Sequence, residues 1–354
     1  MPADQVLRQT EPVGPASAAG DMPLVQVRDM VKYFPITGGV LGRVVNHVRA
    51  VDGVSFEIRK GETLALVGES GCGKSTVGKC LVRLLDLTSG EIRLGGQRID
   101  PMSARALKPA RKRMNIIFQD PFSSLNPRMN VEALIAEPLR NHGIVKGKAG
   151  RRARVAALME QVGLRPEDMV RMPHQFSGGQ RQRIGIARAL ASDPDIVVCD
   201  EAVSALDVSV QAQIINLLMR LQAELGLAML FISHDLAVVE HVSDRVAVMY
   251  LGRIVEIADR ATLFSEPRHP YTKALLAAVP LPDPERRRER VILTGDVPSP
   301  IDPPSGCCFR TRCPVALDEC SARRPELRLI RPNQHVACLR VEPDAPTSTS
   351  PEIR

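Results

Sequence analysis

The residues best equipped for chemistry lie in the run Gly68-Glu69-Ser70-Gly71-Cys72-Gly73-Lys74-Ser75-Thr76. Their spacing satisfies G-x-x-x-x-G-K-[ST] at every fixed position. Glycines let successive backbone N–H groups turn inward to form an anion nest. A helix starting at the end of the run adds its positive dipole end. Lys74 can reach β- and γ-phosphates, and the Ser75 hydroxyl can hold Mg²⁺. Further along, Asp200 and Glu201 close an apolar run that begins at Asp195. Such a pair is often no more than a solvated strand end. Beside a phosphate loop, Asp200 is suited to the Mg²⁺ shell and Glu201 to orienting an attacking water. His234 follows a third apolar run and Gln119 a fourth; either residue taken alone carries little information. Ser177-Gly178-Gly179-Gln180 opens another helical pattern, a second anion-binding terminus that one nucleotide in one chain does not need.

These residues need elements to hold them at one edge. Thr63–Val67 is a short apolar strand before the loop, and Val77–Leu85 is apolar at helical spacing after it. Strand, glycine loop and helix in succession form the context the motif requires. Asn115–Phe118, Asp195–Cys199 and Ala228–Ile232 read as further buried strands, with Gln119, Asp200-Glu201 and His234 at or just beyond their C-terminal ends. Open α/β sheets bind ligands at that edge. Before the loop, Leu24–Phe34 and Val54–Ile58 read as strands, with Tyr33 and Phe34 ending the first and a loop from Pro35 to Val40. For these two aromatics, stacking on a nucleotide base and packing in the core are equally open. Glu91–Leu94 is another strand, Val131 to Gly163 is helical, Gly179–Leu190 and Val208–Leu225 are helices, and Val246–Ile257 is a hairpin around Gly252. Beyond Pro267 the texture changes to proline clusters, Arg286-Arg287-Arg288 and spaced cysteines, the marks of a separate C-terminal module.

Composition narrows the class. The chain has 354 residues, 44% hydrophobic and 25% charged, an ordinary globular balance. A net charge of +7 fits an anionic partner or mere solubility. With no Trp, 3 Tyr and 8 Phe, base-stacking platforms for nucleic acid are not expected. No apolar run reaches the roughly 18–20 residues that span a bilayer. Residues 1–22 lack a signal-peptide core and read as a disordered leader. The cytoplasm is then the default, with the eight cysteines reduced or metal-bound.

The motifs together resemble the ATPases of ABC transporters. Phe176 to Arg183 is similar to their signature, Asp195–Glu201 to their catalytic strand, Ser204-Ala205-Leu206-Asp207 to their D-loop, His234 to the switch histidine and Gln119 to the Q-loop glutamine. Ala202 departs from the proline found in many members. Asn115–Arg128, Glu201–Gln213, His269-Pro270-Tyr271-Thr272 and the stretch from Pro303 to Cys338 further resemble the ATPase subunits of oligopeptide/dipeptide importers.

That resemblance implies an α/β P-loop NTPase (RecA-like) core over residues 23–262, with an antiparallel β subdomain and a helical subdomain at about 120–178. A C-terminal extension follows at 263–342, then a flexible tail at 343–354. It implies ATP and Mg²⁺ as cofactors, with Ser75, Gln119 and Asp200 at the metal and His234 at the γ-phosphate. It also implies a head-to-tail dimer in which Ser177, Gly178, Gly179 and Gln180 of one subunit cap the ATP of the other. The expected partners are two permease subunits, reached through the 120–131 loop, a second related ATPase, and indirectly an extracytoplasmic peptide-binding protein. The place of work is then the cytoplasmic face of the membrane. DNA-repair relatives would need a long coiled coil in the roughly 100 residues between loop and signature, where no sustained heptads occur. Translation-factor relatives carry two cassettes in one chain, and the importer-like tail counts against an exporter.

Cys72, Cys80 and Cys199 are expected as apolar fillers. Cys307, Cys313, Cys320 and Cys338 match the spaced cysteines of the importer extension, and Cys308 is extra. Four thiolates can hold a [4Fe–4S] cluster or zinc. The absence of C-x₂-C pairs favours the cluster, and a metal-free module of reduced thiols stays open.

Overall fold

In the computed structural model, residues 22–38, 42–120, 124–278 and 295–344 are described. Most of the expected leader and tail, residues 121–123 of the partner loop and Arg286-Arg287-Arg288 lie outside them.

Two sheets carry the molecule. The smaller is antiparallel, in the order β2 (Arg43–Ile58), β1 (Val25–Gly38), β4 (Ser89–Leu94), β5 (Gln97–Arg98). The larger has eight strands in the order β11 (Arg328–Arg331), β12 (Gln334–Val336), β10 (Arg253–Asp259), β9 (Arg245–Tyr250), β3 (Thr63–Val67), β8 (Ala228–Ser233), β7 (Ile196–Asp200), β6 (Met114–Ile117). From β6 to β9 all neighbours are parallel. Strands β3, β7 and β8 are buried on both faces, which is why they read as unbroken apolar runs.

Their side chains alternate between two cores. Leu64, Leu66, Val198 and Ile232 join helix α1 (Lys74–Leu81) and the inner face of the small sheet, including Val27, Phe56 and Ile58. Ala65, Val67, Val197 and Phe231 join the helices on the far side. Each aliphatic side chain buried here, such as Val77 or Leu81, contributes about 1.5–3 kcal/mol. Helix α1 is thereby clamped between two sheets, so its N-terminus, and the phosphate loop leading into it, cannot shift independently.

Helix α2 (Lys108–Arg113) leads into β6. The helical insert consists of α3 (Val131–Asn141) and α4 (Lys148–Gln161), followed by 3₁₀ turns at Pro166–Val170 and Pro173–Gln175. Asn130 caps α3, its side chain accepting from the Ala133 N–H at 2.9 Å. The insert packs on α5 (Gly178–Leu190) through Val131, Leu134, Ile135, Val155, Leu158 and Ile184.

One expectation needs correction. Strand β1 does not stop at Tyr33-Phe34 but runs to Gly38, because β2 extends back to Arg43 and continues to pair with it beyond Pro35. The residues beyond Pro267 are joined to the large sheet. Strand β12 pairs antiparallel with β10, so the extension continues the large sheet. A buried carboxylate fixes this junction. Glu256, fully buried, accepts from the Arg268 and His269 N–H groups, both at 2.9 Å, and from Gln334 Nε2 at 2.7 Å. A buried charge needs such partners, and here all three lie beyond Pro267, so the extension supplies them to a strand of the large sheet.

Candidate nucleotide site

Strand β3 ends at Val67 and the chain turns through glycines whose positions admit no side chain. Gly68 has φ +152°, and a Cβ there would lie 2.1 Å from the Met249 carbonyl oxygen. Gly73 has φ +105°, and a Cβ there would lie 2.0 Å from the Ala50 carbonyl oxygen. The loop is thus pressed against β9 and β2 by backbone alone. Lys74 is 5% exposed. Its ammonium donates to the Gly68 carbonyl at 2.8 Å and the Glu69 carbonyl at 3.0 Å. It lies across the loop, a charge with carbonyl partners and no carboxylate within its hydrogen bonds.

Parallel β3, β6, β7 and β8 bring further groups to the same edge. Ser75 Oγ donates to Asp200 Oδ1 at 2.6 Å. Burial pushes the Asp200 carboxyl above the usual carboxylate range, opposed by the Ser75 hydrogen bond and the nearby Lys79 and Lys74. A cation at this position would relieve that desolvation, and a hydroxyl with a carboxylate is a hard-oxygen pair suited to Mg²⁺. Glu201 follows at φ +48°, a left-handed conformation that costs a non-glycine residue about 1–3 kcal/mol. Its N–H donates to the Ile232 carbonyl at 3.0 Å, which holds the turn. Its carboxylate accepts from Gln119 Nε2 at 2.8 Å, and its other oxygen lies 3.4 Å from His234 Nδ1. The strain and both contacts place the carboxylate between β6, β7 and β8.

Ser177 caps α5 and forms a reciprocal pair with Gln180. Ser177 Oγ accepts from the Gln180 N–H at 3.3 Å, and Gln180 Oε1 accepts from the Ser177 N–H at 3.0 Å. None of their hydrogen bonds reaches the phosphate loop. A Cβ on Gly179 would stand 2.4 Å from Val210 Cγ1 on α6 (Val208–Leu225), so any side chain there would force the Val210 side chain to move. Asp207 caps α6, its carboxylate accepting from the Val210 N–H at 3.0 Å.

Lys74, Ser75, Gln119, Asp200, Glu201 and His234 therefore share one edge, whereas Ser177 to Gln180 do not join them within the chain. Tyr33 stands opposite Arg49, next to Ala50, whose carbonyl faces Gly73. Its hydroxyl donates to Asp52 at 2.6 Å. Phe34 carries Lys32 Nζ 5.1 Å above its ring. Cys72, Cys80 and Cys199 are buried as apolar fillers, and burial pushes the Cys199 thiol up to about 12.

In the extension, burial pushes the Cys307 thiol up to about 11, with smaller contributions from Cys320, Cys338 and Cys313. Burial pushes the Cys308 thiol up to about 12, and the Cys307 thiol adds to the rise. Among the described residues, no group of three or more His, Cys, Asp or Glu side chains stands ready to hold a metal. Cys307, Cys308 and Cys313 pack instead against the apolar core.

Two contacts escaped the sequence. Tyr271, on the helix Pro270–Ala277, accepts the Glu69 N–H at 3.0 Å, and Arg312 pairs with the Glu69 carboxylate at 2.8 Å. The motif containing Tyr271 is visible as His269-Pro270-Tyr271-Thr272, but nothing local connects it with a loop some 200 residues earlier.

Fold and site together define a P-loop nucleoside triphosphatase with a helical insert between the phosphate loop and the Asp-Glu strand. The ABC transporter family pattern matches residues 51–204, and the pattern of the oligopeptide/dipeptide transporter C-terminal region matches 255–320. Relatives are similar over nearly their whole length. A peptide import ATP-binding protein of Brucella ovis is 53% identical over 90% of this chain and 98% of its own. The oligopeptide transport ATP-binding protein YkfD of Bacillus subtilis is 55% identical over 90% of this chain and 95% of its own. AppF of the same organism, an oligopeptide transport ATP-binding protein, is 51% identical over 91% and 98%. Among solved structures, a dimeric ATP-binding cassette in a post-hydrolysis state with ADP and Pi superposes with TM-score 0.60 at 26% identity, covering 67% of this chain and 98% of that one. The cassette cbiO1 of Clostridium perfringens gives TM-score 0.59 at 27% identity, covering 70% and 92%. The chain belongs to the ABC transporter ATP-binding proteins, in the group that carries the oligopeptide/dipeptide transporter C-terminal region.

Proposed function

We propose that the chain is the ATP-binding, ATP-hydrolysing subunit of an ABC importer that powers uptake of oligopeptides or dipeptides through partner permeases. The observation that carries the ATPase is the shared edge of Lys74, Ser75, Asp200, Gln119, Glu201 and His234. The peptide cargo rests on the relatives and on the C-terminal region.

Each residue has a role that its geometry supports. Lys74 moves from the Gly68 and Glu69 carbonyls to the β- and γ-phosphates. Backbone N–H groups of residues 68–76 cradle the phosphates. Ser75 and Asp200, with Gln119, hold Mg²⁺, which when bound neutralises charge on the transferring phosphoryl group. Glu201 accepts a proton from the attacking water and orients it, and His234 contacts the γ-phosphate side. Tyr33 or Phe34 offers a ring to the base. Ser177 to Gln180 act in a second subunit's site. Two termini for phosphate in one chain, with no hydrogen bond between them, support a head-to-tail dimer, and a solved neighbour is itself dimeric.

The remaining partners are two permeases, met at the 120–131 loop, a related second ATPase, and a peptide-binding protein outside the membrane. No described helix is long and apolar enough to cross a membrane. Attachment through permeases at the cytoplasmic face fits that fact. We divide the chain at 23–262 and 263–342. Co-expression with candidate permeases, purification of the complex and measurement of peptide-stimulated ATPase test this reading. Copurification with ribosomes or DNA instead of permeases would overturn it.

A metal centre on Cys307, Cys313, Cys320 and Cys338 is a separate proposal. Its support is the spacing of these four cysteines and the influence of the Cys320, Cys338 and Cys313 thiols on Cys307. Anaerobic purification with iron, sulfide and zinc analysis decides it. Cys313→Ser should lose the metal and Cys308→Ser should keep it; a metal-free wild-type protein of full activity ends the proposal.

A further inference from the structure

Glu69 is the first residue inside the phosphate loop, and all of its polar groups are engaged. Its carbonyl accepts from Lys74 Nζ at 3.0 Å. Its N–H donates to the hydroxyl of Tyr271 at 3.0 Å, and its carboxylate accepts from Arg312 Nη1 at 2.8 Å. Both outside partners belong to the C-terminal extension, more than 200 residues away in the chain.

These partners are themselves rigid. Tyr271 is fully buried, with its ring 4.8 Å from Tyr250 and 5.4 Å from Phe309. The Tyr250 and Phe309 rings meet edge to face at 5.2 Å. Arg312 has a side chain 9% exposed, with its guanidinium 6.0 Å from the Tyr250 ring centre. Tyr250 ends β9, the strand against which Gly68 is pressed. The aromatic cluster therefore spans the extension and the wall of the phosphate loop. Electrostatics points the same way. A carboxylate one residue into an anion-binding loop opposes phosphate binding, and Arg312 neutralises it at close range.

We propose that Tyr271 and Arg312 are positioning residues of the nucleotide site, which fix Glu69 and through it the phosphate loop and Lys74. The extension is thus part of the ATP site of its own subunit. This rests on reading residues 68–76 as that site. A hydrogen bond to a charged group in a partly buried place is worth enough that losing Arg312 should weaken nucleotide binding about tenfold. Loss of the Tyr271 hydroxyl alone should weaken it about threefold to tenfold.

The test uses the full chain, Mg²⁺ and a non-hydrolysable ATP analogue for Kd, with ATP turnover for KM and kcat. Arg312→Gln and Tyr271→Phe should raise Kd and KM by the stated factors while kcat at saturating ATP changes less than about threefold, since neither residue touches the reacting atoms. Arg312→Lys should recover part of the loss. Because Glu69→Gln removes the same ion pair, the Glu69→Gln/Arg312→Gln double variant should bind no worse than Arg312→Gln. Tyr271→Phe keeps the buried ring and guards against a folding artefact. Unchanged Kd in both Arg312→Gln and Tyr271→Phe, or additive losses in the double variant, overturns the proposal. Lys74→Ala separates the two readings. If wild type binds the analogue and Lys74→Ala does not, while the extension variants bind as wild type, the positioning role alone fails. If wild type does not bind it, the ATP site itself fails and the positioning role with it.

Discussion

Replacing Glu201 by Gln removes one charge and almost no volume, which makes it the sharpest probe of the catalytic edge. The carboxylate has a side chain 15% exposed, sits between Gln119 and His234, and is held there by a left-handed backbone at φ +48°. An amide keeps an oxygen that accepts from Gln119 but has no basicity for the water proton. A positioned general base is worth roughly 10²–10⁴ in rate, so hydrolysis should slow by that factor, about 2.7–5.4 kcal/mol of barrier. ATP binding should persist, because Lys74, Ser75 and Asp200 are untouched. Stability should change little, since Gln bears the same backbone strain as Glu; a shift in Tm beyond a few degrees would mean that the fold was disturbed instead. Phosphate release gives the rate, and size measurement with ATP and Mg²⁺ gives the assembly, where a trapped dimer is expected. Turnover within tenfold of wild type, with no ATP-dependent dimer, would refute the assignment of Glu201 as base. Glu201→Gly is the counter-probe. It relieves the left-handed strain and should cost little stability, yet it should be at least as inactive as Glu201→Gln.

Ser177→Arg should be inactive although Ser177 touches nothing at the phosphate loop of its own chain, and it should still bind ATP; normal turnover in this variant would argue against a composite dimer. Gly73→Ala combines a φ of +105° with a Cβ 2.0 Å from the Ala50 carbonyl, so it should abolish nucleotide binding, read by analogue titration. Burial lowers the His269 imidazole to about 3, so it stays neutral in the folded chain while its unfolded counterpart titrates near 6.5. The unfolded state then takes up more protons at pH values between these two, so stability is fully present above about 6.5 and is lost as pH falls. Between pH 6.5 and 5 the loss from this group is about 2 kcal/mol, at about 1.36 kcal/mol per pH unit. Denaturant midpoints across that range check it: His269→Gln should flatten the slope, and an unchanged slope would remove His269 as its source.

Much of the site was legible in the chain because its parts are local. The phosphate loop, the Asp200-Glu201 pair and the apolar strands before Gln119 and His234 each declare themselves within a few residues, since doubly buried parallel strands leave unbroken apolar runs. The alternating pattern with one helical insert fixed the class of fold. The family resemblance supplied what the spacing alone leaves open, the peptide cargo and the expectation of a dimer. Three things belonged to tertiary structure. Strand order decides which strand ends meet, and no local signal says that β6, β7, β8 and β3 lie side by side in that order. The left-handed backbone at Glu201 follows from the Ile232 hydrogen bond across the sheet, whereas its residue type argues for the opposite conformation. The extension read as a separate module because its composition changes at Pro267. Its attachment is made by pairing of β12 with β10, by donors to Glu256, and by Tyr271 and Arg312 at Glu69. Such contacts join residues from 12 to 243 positions apart, and their energy comes from burial and charge pairing that exist only once the chain has folded.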